Sequence, residues 1–183
     1  MNSKKTALLS VLTALCVGIQ LTPRPPNVEF TSLFCFLTGF MFGAPFGAFL
    51  GALTMFINGF LSPWGFAGLN MPFQMLGMGI IGFAGGVYRK TLHSERFSLI
   101  HMFEVAVIAA SLTLLYDLIT NLGFAMLFQI NFIAVLIMGA WFMVIHVGWN
   151  TFLFFISFFP LVEIVKKVWG GDRELWVLKE DWQ

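Results

Sequence analysis

Residues 138–165 read MGAWFMVIHVGWNTFLFFISFFPLVEIV, an apolar run in which His146, Asn150 and Glu163 are the strongly polar members. It exceeds the ~20 residues that a helix needs to cross a hydrocarbon core of ~30 Å. A segment in lipid must satisfy its own backbone hydrogen bonds, so a run of this kind predicts a membrane helix. Working outward, breakers separate further apolar runs at 6–21, 31–41, 46–60, 70–87 and 99–121. Pro72 falls in the first turn of the fourth run, where a helix tolerates it. The composition agrees. Of 183 residues 58% are hydrophobic and 10% charged, against about half apolar and a quarter charged in a soluble domain. Gly is plentiful and 23 residues are Phe, whereas the alternating pattern of a barrel is absent. The expected fold is an all-α integral membrane protein: one compact domain of six transmembrane helices over 1–183, with residues 166–183 as a tail.

The net charge of +1 says little, but its distribution gives an orientation. With six spans, Lys4, Lys5, Arg89, Lys90, Arg96, Lys166, Lys167, Arg173 and Lys179 fall on the side of the termini, and Arg24 on the other. The positive-inside rule then puts both termini in the cytoplasm. The apolar run after Lys4 and Lys5 reads as a span rather than a cleaved signal, because no small-residue cleavage site precedes a polar mature domain.

Three pairs of polar residues spaced four apart interrupt the runs: Asn70 and Gln74, Asp117 and Asn121, His146 and Asn150. Each pair shares a helix face. Polar groups in hydrocarbon cost at least a few kcal/mol and mark function by default. In the expected topology all three pairs lie in the outer half, together with Asn58 and with Asn27 and Glu29 at the outer start of span two. One outward-facing binding pocket accounts for this asymmetry. The competing reading is helix-to-helix hydrogen bonding, at about 1 kcal/mol each. Asp117 also reads as an interfacial carboxylate, and His146 as a packing histidine, since nothing brings two further metal ligands beside it. No metal and no cofactor is expected. Between spans three and four, the uncharged residues 62–69 read as a lid in which Trp64 offers a stacking surface, or else as a membrane-interface aromatic. Residues 22–27, rich in Pro, read as an extended cover or a plain connector.

Small residues recur every four positions at Gly39, Gly43, Gly47 and Gly51, and again at Gly82 and Gly86, which reads as close internal packing. Ser10, Ala14 and Gly18 repeat the spacing on the first span, where docking of another membrane protein competes with packing. Cys16 and Cys35 give neither a metal spacing nor a disulfide framework and read as buried packing residues.

Absences narrow the mechanism. The chain has no Walker-type phosphate loop, no GxSxG elbow, no HExxH helix and no paired carboxylates within a span. Two matched halves with broken helices are also missing. A pocket without an engine suggests a binding subunit rather than an enzyme. A structural or assembly subunit, and a membrane enzyme using Asp117 with His146, are the alternatives.

Taken in order, several stretches resemble one family. They are the small-residue helix around Ser10 and Ala14, PNVEF at 26–30, FGAPFGAFLGAL at 42–53, Pro63-Trp64-Gly65, YDLITNLG at 116–123 and the His146 to Asn150 stretch. Together they resemble the substrate-specific (S) component of energy-coupling factor (ECF) transporters. The resemblance implies six helices with cytoplasmic ends in a prokaryotic plasma membrane, and capture of a water-soluble vitamin or related small molecule from outside. It implies a pocket built from the outer halves of spans four to six and the outer loops, here Asn27, Glu29, Asn58, Trp64, Asn70, Gln74, Asp117, Asn121, His146 and Asn150. It also implies partners, namely the lipid bilayer, a transmembrane coupling subunit and two ATPase subunits, with no nucleic acid. In the family an Ala-x-x-x-Ala motif on the first helix meets the coupling subunit; here Ser10 replaces the first Ala and Ala14 matches the second, with Gly18 following. Family substrates include riboflavin, thiamin, biotin, folate, pantothenate and cobalamin, and the residues assign none of them.

Overall fold

A computed structural model describes residues 3–62, 66–92 and 98–169. Its described residues form six α-helices and no strand: α1 Ser3–Leu21, α2 Thr31–Phe42, α3 Ala44–Leu61, α4 Met71–Thr91, α5 Leu99–Phe128 and α6 Phe132–Trp169, with a 3₁₀ turn at Gly68–Asn70 before α4.

The helix ends follow local chemistry. α2 stops at Gly43, whose φ of 106° and ψ of 152° suit only glycine, so α3 begins at once in a new direction, with Pro45 in its first turn. Pro72 occupies the same place in α4. At the start of α5 the Ser98 side chain and the His101 ring exchange capping bonds with the backbone. α5 continues to Phe128, past the expected end at 121, and α6 starts at Phe132, ahead of the expected 138. Only residues 129–131 join them. Gln129 turns left-handed at φ 55°, and the Asn131 side-chain oxygen accepts from the Ile133 and Ala134 amides.

Six helices form, but they are not all long enough to count as spans. Ala44–Leu61, Gly68–Thr91, Leu99–Phe128 and Phe132–Lys167 have the length and apolarity to cross a membrane; Thr6–Leu21 and Thr31–Phe42 are apolar but shorter. Twelve residues of α2 rise about 18 Å. The expectation of six full spans is corrected to this extent, and for α2 the reason lies in the Gly43 break.

α4 packs between α2 and α3, α5 pairs with α6 and also touches α4, and α1 lies against α3 and α2. The first of these contacts is backbone to backbone. A side chain at Gly82 would overlap the Gly47 carbonyl, and one at Gly39 would overlap the Gly82 carbonyl. The core centres on Phe36, Phe154 and Phe158, with Phe40 and Tyr88 edge-on or tilted against them. Outward, the bundle shows Val11, Phe49, Ile100, Phe103, Val107, Ile137 and Trp141. So many exposed large apolar side chains belong in lipid. Arg89 closes the end away from the loop at 22–30: its guanidinium donates to the Phe40 carbonyl and sits 5.6 Å from the Phe40 ring centroid.

Candidate functional site

At the opposite end, where α1, α3 and α5 finish and α2, α4 and α6 begin, the helices diverge around a cavity of about 460 Å³. Residues 22–30 form one edge. Prolines 23, 25 and 26 keep this segment out of a helix, and Arg24 folds it, donating to the Val28 carbonyl at 2.8 Å and to the Gln20 side-chain oxygen. Burial lowers the Arg24 guanidinium from its usual pKa, and the nearby Glu29 carboxylate opposes that shift. Asn27 takes a left-handed conformation, φ 60°, that Asn tolerates, and its amide donates to the Phe142 carbonyl of α6 at 2.9 Å.

Glu29 is the hub of the segment. Its side chain accepts from the Ser32 amide at 2.9 Å and from the Asn150 amide at 2.9 Å, and its carbonyl accepts from the Trp149 indole at 2.7 Å. His146 stands between two carboxyl groups. Its Nδ1 is 2.7 Å from Asp117 Oδ1, and its Nε2 is 3.6 Å from Glu29 Oε1, beyond hydrogen-bond length. Glu29, Asp117 and His146 are each 5% exposed and Asn150 is fully buried. The chain Glu29–His146–Asp117 thus ties residues 22–30, α6 and α5 together. Buried charged groups of this kind persist only when paired and hydrogen-bonded.

Of the residues expected in the site, Asn27, Glu29, Asn58, Asn70, Gln74 and His146 line the cavity. Asp117 meets it through His146, and Asn150 stands behind Glu29. Asn121 does not line it. Its amide donates to the Asp117 carbonyl within α5 and its oxygen faces Gly139. Trp64 lies outside the described residues. The lining further includes Gln20, Arg24, Met55, Phe66, Met78, Tyr116, Phe124 and Phe128, which the spacing argument did not select. Arg24 had a signal, as the single basic residue on its side in the expected topology; Phe66 belongs to the 62–69 segment read as a lid; Tyr116 adjoins Asp117; the rest had none.

The arrangement is a mixed container: amides and one charge chain at one edge, aromatic and thioether side chains elsewhere. It suits binding of a small molecule with a flat apolar part and several hydrogen-bonding groups. Among the described residues, no three His, Cys, Asp or Glu groups are placed to share a metal ion.

Residues 1–167 match the family described as ECF-type riboflavin transporter, S component. The chain belongs to that family. No curated protein and no solved structure matches it. Membership makes this chain a membrane protein of vitamin uptake, of the substrate-binding kind, and the ECF S component family is one of transporter subunits rather than enzymes. S components bind a vitamin and associate with membrane and ATPase components.

Proposed function

We propose that the chain is the riboflavin-capturing subunit of an ECF-type importer. It takes riboflavin from outside the cell into the cavity between residues 22–30 and the ends of α3 to α6, and releases it inward when a separate coupling subunit and two ATPases act on it. The observation that carries this reading is the cavity itself. Its volume of about 460 Å³ falls in the range of small-molecule sites, about 300–1,000 Å³, and its wall joins aromatic side chains to amides, as a flat heteroaromatic ring with a polyhydroxyl tail requires.

In this reading the chain is one membrane domain over 1–183. All six helices belong to the membrane unit, the shorter α1 and α2 included, and both termini are cytoplasmic. Support comes from the charges: Arg89, Lys90, Lys166 and Lys167 stand at the end opposite the cavity, and Arg24 at the cavity end. The membrane is a prokaryotic plasma membrane. The substrate contacts are Asn27, Glu29, Asn58, Asn70, Gln74 and His146, joined on sequence grounds by Trp64; Asp117, Asn121 and Asn150 hold the others in place. Ser10, Ala14 and Gly18 form the face that meets the coupling subunit. All three are exposed, and a side chain at Gly18 would meet nothing within 4 Å, which leaves room for a second helix backbone.

Mass spectrometry of the small molecule that co-purifies with the protein tests the substrate. Riboflavin bound to the protein supports the reading, and another vitamin in its place contradicts it. Uptake of labelled riboflavin by vesicles holding this chain tests the partners: uptake should require the coupling subunit, both ATPases and ATP together.

A further inference from the structure

The two ring nitrogens of His146 are not equally served. Nδ1 lies 2.7 Å from Asp117 Oδ1, whereas Nε2 is buried, has no hydrogen-bond partner and stands 3.6 Å from Glu29 Oε1. Two carboxyl groups and one imidazole thus form a row across three elements: α5, α6 and residues 22–30. A neutral imidazole has one N–H and one lone pair, so it serves both neighbours as a donor only when both nitrogens carry hydrogen. With the Nδ1 hydrogen given to Asp117, the Nε2 lone pair faces a carboxylate oxygen and repels it. One further proton, on Nε2 or on the Glu29 carboxyl, turns that contact into a donor and an acceptor. The charges around the row are few. Asp117 and the Tyr116 ring of α5 face the imidazole, the latter edge-on at 5.8 Å between centroids, and Glu29 faces it from residues 22–30. Near Glu29 stand Arg24 and Cys35 of α2, whose thiol touches that of Cys16 on α1. Toward the cavity α3 and α4 add uncharged side chains such as Met55, Asn58, Gln74 and Met78.

We propose that one proton shared between His146 and Glu29 clamps residues 22–30 to α5 and α6, with Asp117 as the positioning residue that fixes the ring. The segment is then held tightly at lower pH and loosens as the pH rises. With the proton in place the row keeps one net negative charge, which Arg24 offsets. Without it two buried negative charges are left to Arg24 alone, and a buried charge lacking a partner favours water. Arg24 belongs to the same segment as Glu29, so it moves with Glu29 and cannot anchor it to α6. The bonds from Trp149 and Asn150 to Glu29, and from Asn27 to the Phe142 carbonyl, involve no proton change. Loss of the clamp therefore frees the segment in part and does not unfold it. The clamp acts on the segment itself, whichever small molecule the cavity takes.

Pulsed EPR on the ligand-free protein reads the clamp, with nitroxides at Pro25→Cys on the segment and Ile137→Cys on α6; both positions are exposed, and the native Cys16 and Cys35 are buried. A narrow distance distribution is expected at about pH 5 and a broader, longer one at about pH 9, values that bracket the usual imidazole range. His146→Gln cannot take up the proton and should give one distribution at both values. Should that variant fail to fold, Glu29→Gln carries the same expectation. Asp117→Asn removes one of the two charges that favour the proton, so its segment should loosen at lower pH than the wild type's. Release of bound riboflavin, followed by stopped flow, should quicken by roughly 3- to 10-fold over the same range in the wild type and stay flat in His146→Gln. A wild-type distance that ignores pH, or a pH response that survives in His146→Gln, overturns the clamp and leaves riboflavin binding standing. A segment that responds to pH in a protein that binds no riboflavin upholds the clamp and overturns the riboflavin reading.

Discussion

Where α2, α3 and α4 meet, the contacts are backbone on backbone, with Gly82 against Gly47 and Gly39; where residues 22–30 meet α5 and α6, they are polar side chains, Glu29 with His146 and Asn150, and His146 with Asp117. The cavity belongs to the second region and opens at the end where α3 finishes and α4 begins, away from these glycines. The glycine contact is sensitive to volume, since any added atom must push helices apart. The other is sensitive to chemistry, since losing one partner leaves another buried and unpaired. Glycine contacts carry no hydrogen-bonding specificity and make a rigid frame. The polar chain holds a short loop, and a loop held by a few bonds is the part of the molecule that can open.

Substitutions in each region should separate the two modes. The largest effect is expected for Gly82→Leu, which drives a side chain into the Gly47 carbonyl. Overpacking of well-packed interiors costs about 1–3 kcal/mol and more where backbone is the obstacle. We expect little folded protein on size-exclusion chromatography, and a normal yield would dissolve the contrast. Next is Asp117→Leu, which strips His146 of its 2.7 Å partner. Breaking a buried pair from one side costs roughly 3–5 kcal/mol, so the thermal midpoint should fall and riboflavin binding with it. Asn150→Leu removes one amide donor to Glu29 and should weaken binding by about 1–3 kcal/mol with the fold retained, as isothermal titration would show. The smallest effect on the isolated chain belongs to Ala14→Leu on the exposed face of α1. Stability and binding should move by less than about 0.5 kcal/mol, while uptake in vesicles with the coupling module should drop. Loss of binding in this variant would show that α1 packs inward at that point.

The all-helical membrane fold was legible because apolar runs such as 138–165 admit little else. Their ends were less so. Residues 122–137 remain apolar almost throughout, so the turn at 129–131 depends on Gln129 and Asn131 alone, and single-residue signals are lost in such surroundings. The shortness of α2 turns on the backbone conformation at Gly43, one glycine among many. For the site, the spacing of Asn70 and Gln74 gave a shared face that does line the cavity. The same spacing in Asp117 and Asn121 gave a shared face too, yet Asn121 bonds back to its own helix, because periodicity fixes which residues align and not which way the helix is turned. Arg24 reaches the cavity only through the fold of the proline segment, which carries no periodic pattern, and Gln20 reaches it from the last turn of α1.

The central claim is that the cavity edged by residues 22–30 holds riboflavin. Titration of riboflavin into the detergent-purified wild type, followed by flavin fluorescence, tests it most directly. One molecule should bind per chain, with saturable quenching that Asp117→Leu abolishes; no saturable change at any riboflavin concentration would contradict the account.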